Sequence, residues 1–267
     1  MIIVRILGGL GNQLFQYAYA KSLADKGYHV KIDISAFKNY KLHGGYHLDQ
    51  FKIDLETSSS TENFFTKYFF NFPKKEKTLL FQKAFLTPFR YKYIKGYFQN
   101  EKYFEDIRPI LLKQIMLKKQ LSSSTIQYLE EITIKKSTCS LHIRRGDYIL
   151  DKKSNQVHGV CDLNYYKEAI KLMREKCDEV HFFVFSDDIS WVKKNLKIKN
   201  TVYIDHKVIP HEDLHLMSLC KHNITANSSF SWWAAWLNKN QNKIIIAPKQ
   251  WFVSKENEVA CNNWIKL

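Results

Sequence analysis

Short apolar runs alternate with stretches of helical period along most of this chain. The first half opens with an apolar strand at residues 2–7, a glycine turn, and a helix from about 12 to 26 that stops at Gly27. A second strand at 28–34 completes a strand–helix–strand unit, whose two strands must run parallel. Residues 35–98 are aromatic and lysine-rich, and their pattern supports no element; 103–119 reads as a helix. A polar stretch at 117–136 then separates the halves. The second half is more regular, with strands predicted at 138–143, 180–185, 201–204, 222–226 and 243–247. Helices are predicted between them at 164–176, 189–196, 211–221 and 230–238. Short apolar strands alternating with helices predict an α/β fold whose parallel, doubly wound sheets are covered on both faces. The expected architecture is two Rossmann-like lobes facing a cleft, 1–135 and 136–267, with ligands at the carboxyl ends of the strands.

Composition narrows the classes. No apolar run approaches the length of a membrane span, and the start of the chain shows neither a basic leader nor a small-residue cleavage site. Five scattered cysteines without C-x-x-C spacing point to reduced thiols in a cytosol, not to disulfides or a zinc site. The formal charge of +15 calls for an anionic partner: nucleic acid, an acidic membrane surface or a nucleotide substrate. The excess is spread as pairs such as Lys74–Lys75 and Lys193–Lys194, which reads first as solvated faces and next as weak attraction to a membrane. Aromatics are not interleaved with basic residues in a nucleic-acid-binding motif, which argues against that partner.

Gly8-Gly9-Leu10-Gly11-Asn12-Gln13 follows a strand and opens a helix. Gly9 and Gly11 would let backbone N–H groups approach a ligand, and the helix start favours a phosphate. Asp33, ending the second strand, suits a dinucleotide fingerprint, but Leu14 stands where its third glycine belongs. A plain tight turn is the bland alternative. Asn12 argues against both, because its amide could donate to a diphosphate oxygen.

Ser140-Leu-His-Ile-Arg-Arg-Gly-Asp-Tyr148 is the most informative string. Strand alternation sends His142 and Arg144 to one side, Ile143 and Arg145 to the other. Two arginines ending an apolar strand need partners. A diphosphate fits, since guanidinium forks match phosphate oxygens; an internal Arg–Asp147 ion pair is the alternative. No D-x-D metal motif occurs, and the consecutive pair Asp187-Asp188 would chelate poorly, so no metal site is expected. Arginines and helix dipoles would then carry a leaving diphosphate, and losing one such contact costs about 3–4 kcal/mol of barrier. Further on, Thr225-Ala-Asn-Ser-Ser-Phe-Ser-Trp-Trp repeats the strand–turn–helix logic. Ser228 and Ser229 sit there as N-caps or anion donors, and Trp232, Trp233 and Trp236 read as core. Asp213, near another helix start, is either a dipole partner or an acceptor for guanine N1–H and its exocyclic amine.

Together these strings resemble the bacterial α-1,2-fucosyltransferases of surface polysaccharide synthesis, and the wider group with the protein O-fucosyl- and α-1,6-fucosyltransferases. The matching pieces are GGLGNQLFQYAYAKSLA at 8–24, GYFQNEKYF at 96–104, HIRRGDY at 142–148, FSDD at 185–188, DLHLMS at 213–218 and NSSFSWW at 227–233. The resemblance implies a GT-B-like fold and an inverting reaction without metal or cofactor. The substrates would be GDP-fucose and O2 of a terminal β-galactoside. It places Arg144 on the β-phosphate, His142 and Asp213 on guanine, and Asn12 beside the departing oxygen. Ser228 and Ser229 would hold phosphate through their backbone, with Arg145 nearby, while Asp187 and Asp188 would shape the site. Asp147, Asp151 and His158 are candidate bases; Asp151 is out of register with the carboxylate of the α-1,6 relatives. The alternatives are the same chemistry with another GDP-deoxysugar such as colitose, a dinucleotide-dependent oxidoreductase, or a nucleic-acid-binding protein. A cytoplasmic location, with peripheral contact at the inner face of the cell membrane, is expected.

Overall fold

A computed structural model of the chain describes residues 1–39, 44–68, 74–78, 80–88, 92–146, 159–253 and 256–267. It divides into two units, the first being Met1–Lys119 with Glu256–Val259. In that unit β1 (Ile2–Arg5) leads through glycine into α1 (Leu10–Asp25) and β2 (Val30–Asp33). The strands run parallel, with Ile2 opposite Val30 and Arg5 opposite Asp33. The stretch that supports no element in the sequence contains α2 (Ser60–Tyr68), β3 (Lys74–Lys75) and β4 (Tyr93–Lys95). All four strands are parallel, in the order β2-β1-β4-β3. β4 thus lies beside β1 in the middle of the sheet, with Tyr93 and Ile94 fully buried. Three residues flanked by lysine are too few to show a period, so only its neighbours reveal it.

The helix expected over 103–119 is shorter. Two 3-10 turns, Glu101–Tyr103 and Glu105–Ile107, precede α3 (Arg108–Gln114). Pro109 sits in the first turn of α3, where its missing N–H costs nothing, and it cannot sit deeper. The core of this unit is aromatic. Tyr19 stacks on Phe98 at 3.9 Å between ring centroids, with Phe85 and Tyr103 edge-on to it.

The second unit, Gln120–Lys255 with Ala260–Leu267, begins well before residue 135. The polar segment expected to separate the halves forms α4 (Ser123–Ile134), whose first turn is tied to a later helix of the same unit. Glu212 accepts from the Ser122 N–H at 3.0 Å, from the Ser122 hydroxyl at 2.6 Å and from the Thr125 hydroxyl. These bonds assign α4 to the second unit. In return, the 256–259 segment joins the first unit through Glu258, which accepts from Asn100 Nδ2 at 3.1 Å and pairs with Lys102 at 3.5 Å.

The second unit alternates as its sequence predicts, within a few residues at each boundary. β5 (Thr138–Ile143) is followed by α5 (Leu163–Lys176), β6 (His181–Ser186), α6 (Ile189–Asn195) and β7 (Thr201–Tyr203). Then come α7 (Pro210–Leu219), β8 (His222–Ile224), α8 (Ser229–Leu237), β9 (Ile245–Ala247) and the two-residue β10 (Ile265–Lys266). The sheet order is β10-β9-β8-β5-β6-β7, and every pair is parallel. β5 is buried along its whole length. Trp232 and Trp233 are fully buried and pack with Trp236 and Trp264, as core residues.

Candidate active site

In the second unit the chain runs from β5 outward to β6 and β7, then returns on the other side of β5 with β8, β9 and β10. The direction of winding therefore reverses between β5 and β8. At such a reversal in a parallel sheet, ligands bind in the crevice outside the carboxyl ends of the two strands. The loop after β5 carries Arg144 and Arg145; the loop after β8 carries Asn227 and Ser228.

Asp187, just past the end of β6, organises the arginine turn. Its Oδ1 accepts from the Arg145 N–H at 2.9 Å, and its Oδ2 lies 3.3 Å from Arg144 Nε. Gly146 leaves room for it, since a Cβ there would stand 3.1 Å from that carboxylate. Among the described residues the carboxylate that meets both arginines is Asp187; the ion pair anticipated with Asp147 lies outside the described residues. Asp188 has a separate task, capping α6 by accepting from the Trp191 N–H at 3.0 Å. Arg145 turns away and lays its guanidinium 3.5 Å above the centre of the Trp191 ring, with a buried Nε that finds no hydrogen-bond partner among the described residues. Stacked in this way, Arg145 keeps its charge but is held against the ring, while Arg144 is steadied by the Asp187 carboxylate. Asp147, Asp151 and His158 lie outside the described residues.

His142 is buried against Phe230, 5.7 Å between ring centroids. Burial, reinforced by the Arg144 charge, pushes its pKa down to about 3, so the ring is a neutral hydrogen-bonding group at physiological pH. Its Nδ1 is buried without a hydrogen-bond partner among the described residues, an unsatisfied polar atom that calls for a ligand. Asp213, in the first turn of α7, is also buried. His206 Nε2 lies 2.8 Å from its Oδ1, so that oxygen belongs to a buried pair and Oδ2 is the one that could take a further donor. Burial outweighs that hydrogen bond and raises its pKa to about 6. Ser228 occupies the N-cap position of α8, yet no side chain caps that helix. The capping expected of Ser228 and Ser229 is therefore absent. The first-turn N–H groups keep the donor capacity that an anion requires.

In the first unit the glycine turn is fixed by two buried glutamines that come after it in the chain. Gln13 Nε2 donates to the carbonyls of Gly8 and Gly45, both at 2.8 Å, and its Oε1 accepts from the His47 N–H at 2.9 Å. Gln16 Oε1 accepts from the Leu7 N–H, while its Nε2 donates to the Gly96 carbonyl. Gly8 has φ +89° and lies so close to Asn12 that a Cβ would approach its Nδ2 to 2.9 Å. Gly9 stands at the N-cap of α1 without a side-chain cap. Asn12 Oδ1 accepts from Gln99 Nε2 at 2.8 Å, which aims the amide and leaves its NH₂ for donation. Gln99 is delivered by a strained turn, where Phe98 adopts φ +52° while Glu76 accepts from the N–H groups of Tyr97 and Phe98. Asp33 is occupied: it accepts from Tyr93, Asn63 and Ser35 and pairs with Lys67. No oxygen of it is left open for a ribose, which removes the acid a dinucleotide fingerprint needs.

The sequence model of the family described as Glycosyl transferase family 11 matches residues 1–267. The chain belongs to that family. An α-1,2-colitosyltransferase of Escherichia coli is 37% identical over 281 residues, covering 96% of this chain and 94% of the relative. The O-antigen biosynthesis glycosyltransferase WbnK of Escherichia coli is 32% identical over 299 residues, 97% and 98% of the two chains. Rat galactoside α-(1,2)-fucosyltransferase 2 is 24% identical over 255 residues, 89% of this chain and 67% of the relative. The activity class is accordingly glycosyl transfer, in place of the oxidoreductase alternative.

For this family 11 member, sequence reasoning missed the residues that hold others in place: Gln13, Gln16, Gln99, Trp191 and His206. Gln13 and Gln16 carried a signal, being polar residues in a helix that is otherwise apolar nearly all round. Gln99 stood only within the matching string GYFQNEKYF at 96–104, and His206 carried no signal, since its partner is fixed by the fold.

Proposed function

We propose that the chain transfers a deoxysugar from a GDP donor to O2 of a terminal β-galactoside, with inversion and without a metal ion. L-Fucose is the sugar its motifs favour. The observation that carries the reading is the crevice beside β5. There Arg144, held by Asp187, and the uncapped start of α8 offer two sets of anion donors next to a neutral His142 with an unsatisfied nitrogen. As the anomeric carbon parts from GDP, negative charge grows on the β-phosphate. Arg144 and the Ser228–Ser229 turn stabilise it, and donors fixed in advance need no reorganisation at that moment. His142 and Asp213 take the guanine; to the Asn12 amide we assign the departing oxygen. The acceptor hydroxyl attacks from the opposite face and passes its proton to a general base, for which Asp147, Asp151 and His158 are the candidates.

Colitose is the second reading, favoured by the 37% identity to a colitosyltransferase. Both are tested by incubating the enzyme with GDP-fucose, GDP-colitose and UDP-galactose against a galactoside panel, with product linkage read by NMR. The expected product is an α-1,2-linked deoxysugar from one GDP donor, formed equally well in EDTA. Transfer from UDP-galactose alone, or strict dependence on Mg²⁺ or Mn²⁺, would overturn the proposal.

A further inference from the structure

α2 is inside out. In a helix that packs on a sheet the apolar face is normally turned inward. Here the inward residues are polar: Asn63 donates to Asp33 at 2.8 Å, Lys67 pairs with the same carboxylate, and Asn63 and Thr66 are buried. The aromatic residues point to solvent, with Phe64 54% exposed, Phe65 48% and Tyr68 68%. They form one patch, because the Phe64 ring lies 4.9 Å from Tyr68 and 6.1 Å from Phe65. The helix is not frayed into this position. A reciprocal capping box holds its start, with the Ser59 N–H donating to Glu62 at 2.7 Å and the Glu62 N–H to the Ser59 hydroxyl at 3.1 Å. A stably held helix that leaves three large rings about half or more exposed marks an interaction surface.

The surroundings say what kind of partner fits. Lys67 of α2 stands over the Tyr93 ring at 4.6 Å, and Lys95 over the same ring at 5.6 Å. Lys95 is in register with Lys75 across the β3–β4 pair. Arg5 ends β1, the strand between β2 and β4, and like Lys95 it is the last residue of its strand. Cations so close repel one another unless an anion joins them. The nearby carboxylates are engaged: Asp33 with Lys67, Glu56 and Glu62 with Lys31. Among the described residues no ion pair is formed by Arg5, Lys75 or Lys95. Exposed rings beside unpaired cations suit the boundary of an anionic bilayer, where aromatic side chains sit among headgroups and lysines meet phosphate. A second copy of a chain carrying +15 would bring like charges together at this patch. Among the described residues no helix is long and apolar enough to cross a membrane, so the contact would lie in the interface.

We propose that the outer face of α2, with Phe64, Phe65 and Tyr68 and the unpaired cations Lys75 and Lys95 nearby, docks the enzyme onto an anionic lipid surface. The inference does not depend on which sugar is transferred. The test is sedimentation of the full chain with phosphatidylcholine vesicles, with and without phosphatidylglycerol, across a salt series. The wild type should co-sediment only with the anionic vesicles, and less as salt rises. The triple variant Phe64→Ser, Phe65→Ser, Tyr68→Ser should bind at least ~10-fold more weakly while turning over a soluble acceptor at the wild-type rate. Lys75→Glu should weaken the preference for phosphatidylglycerol several-fold. A second, milder variant, Phe64→Trp, should show a blue-shifted emission on anionic vesicles. Unchanged sedimentation of the triple variant, or no shift from the tryptophan, would overturn the proposal. So would a triple variant that loses only a dimer seen by light scattering, or only affinity for the soluble acceptor, since either assigns the patch to another occupant.

Discussion

Asp187 illustrates how much of the candidate site rests on single side chains. One carboxylate holds the Arg145 backbone, steadies the Arg144 guanidinium and packs against Gly146. Arg144 is half-buried with a charged partner, and removing it deletes the principal cation on the β5 side of the crevice. Arg144→Ala is expected to lower kcat/KM by about 100- to 1000-fold with Tm within a few degrees of wild type. Asp187→Asn, which keeps an acceptor for the Arg145 N–H but loses the charge, should fall between that variant and wild type. Steady-state kinetics with the preferred donor decides both, and near-normal turnover by Arg144→Ala would remove it from the mechanism. Asp213 gives a pH signature. Its carboxyl is raised from 3.8 to about 6 by burial, with His206 and Glu212 the charged or titratable groups beside it. A raised carboxyl stabilises the fold most at low pH, and that contribution is lost as pH rises through about 6. Guanine recognition needs the opposite form, the ionised acceptor. KM for the donor should therefore climb as pH drops below about 6 while kcat changes little, and Asp213→Asn should flatten that dependence.

At the scale of elements, the legible ones were those long enough to show a period or bounded by a glycine. The strand–helix alternation of the second unit was readable because β5 and β6 are six-residue buried strands separated by amphipathic helices. β4 was not, since three residues contain no alternation to count. α4 was read as a spacer because its outward face is polar. What orders it is Glu212, from a helix far along the chain, which takes the Ser122 and Thr125 hydroxyls and the Ser122 N–H. Glu212→Ala strands those donors at a half-buried helix start, and should cost about 1–3 kcal/mol. Thermal unfolding would show this as a Tm lowered by several degrees, with donor KM nearly unchanged. An unaltered Tm would mean that α4 is held by packing alone. The reversed face of α2 was hidden for a related reason: a helix pattern says which residues share a face, but not which face turns inward.

For the molecule as a whole, charge and alternation were fixed by the amino-acid order alone. A surplus of lysine, parallel α/β units and arginines closing an apolar strand are all properties of neighbours in sequence, and short-range sterics and period make them visible. The family 11 match over residues 1–267 accords with how much of the chain carries such local signals. Tertiary structure decided which charges meet. Asp187 pairs with Arg144 because β6 is hydrogen-bonded to β5, and Asp33 is closed off because α2 and β4 converge on it. It also decided that 120–135 belongs to the second unit, and that 256–259 returns to the first. Such pairings depend on strand order and on which surfaces bury one another. Those are settled by the free energy of the entire packed chain, and no window of neighbouring residues contains them.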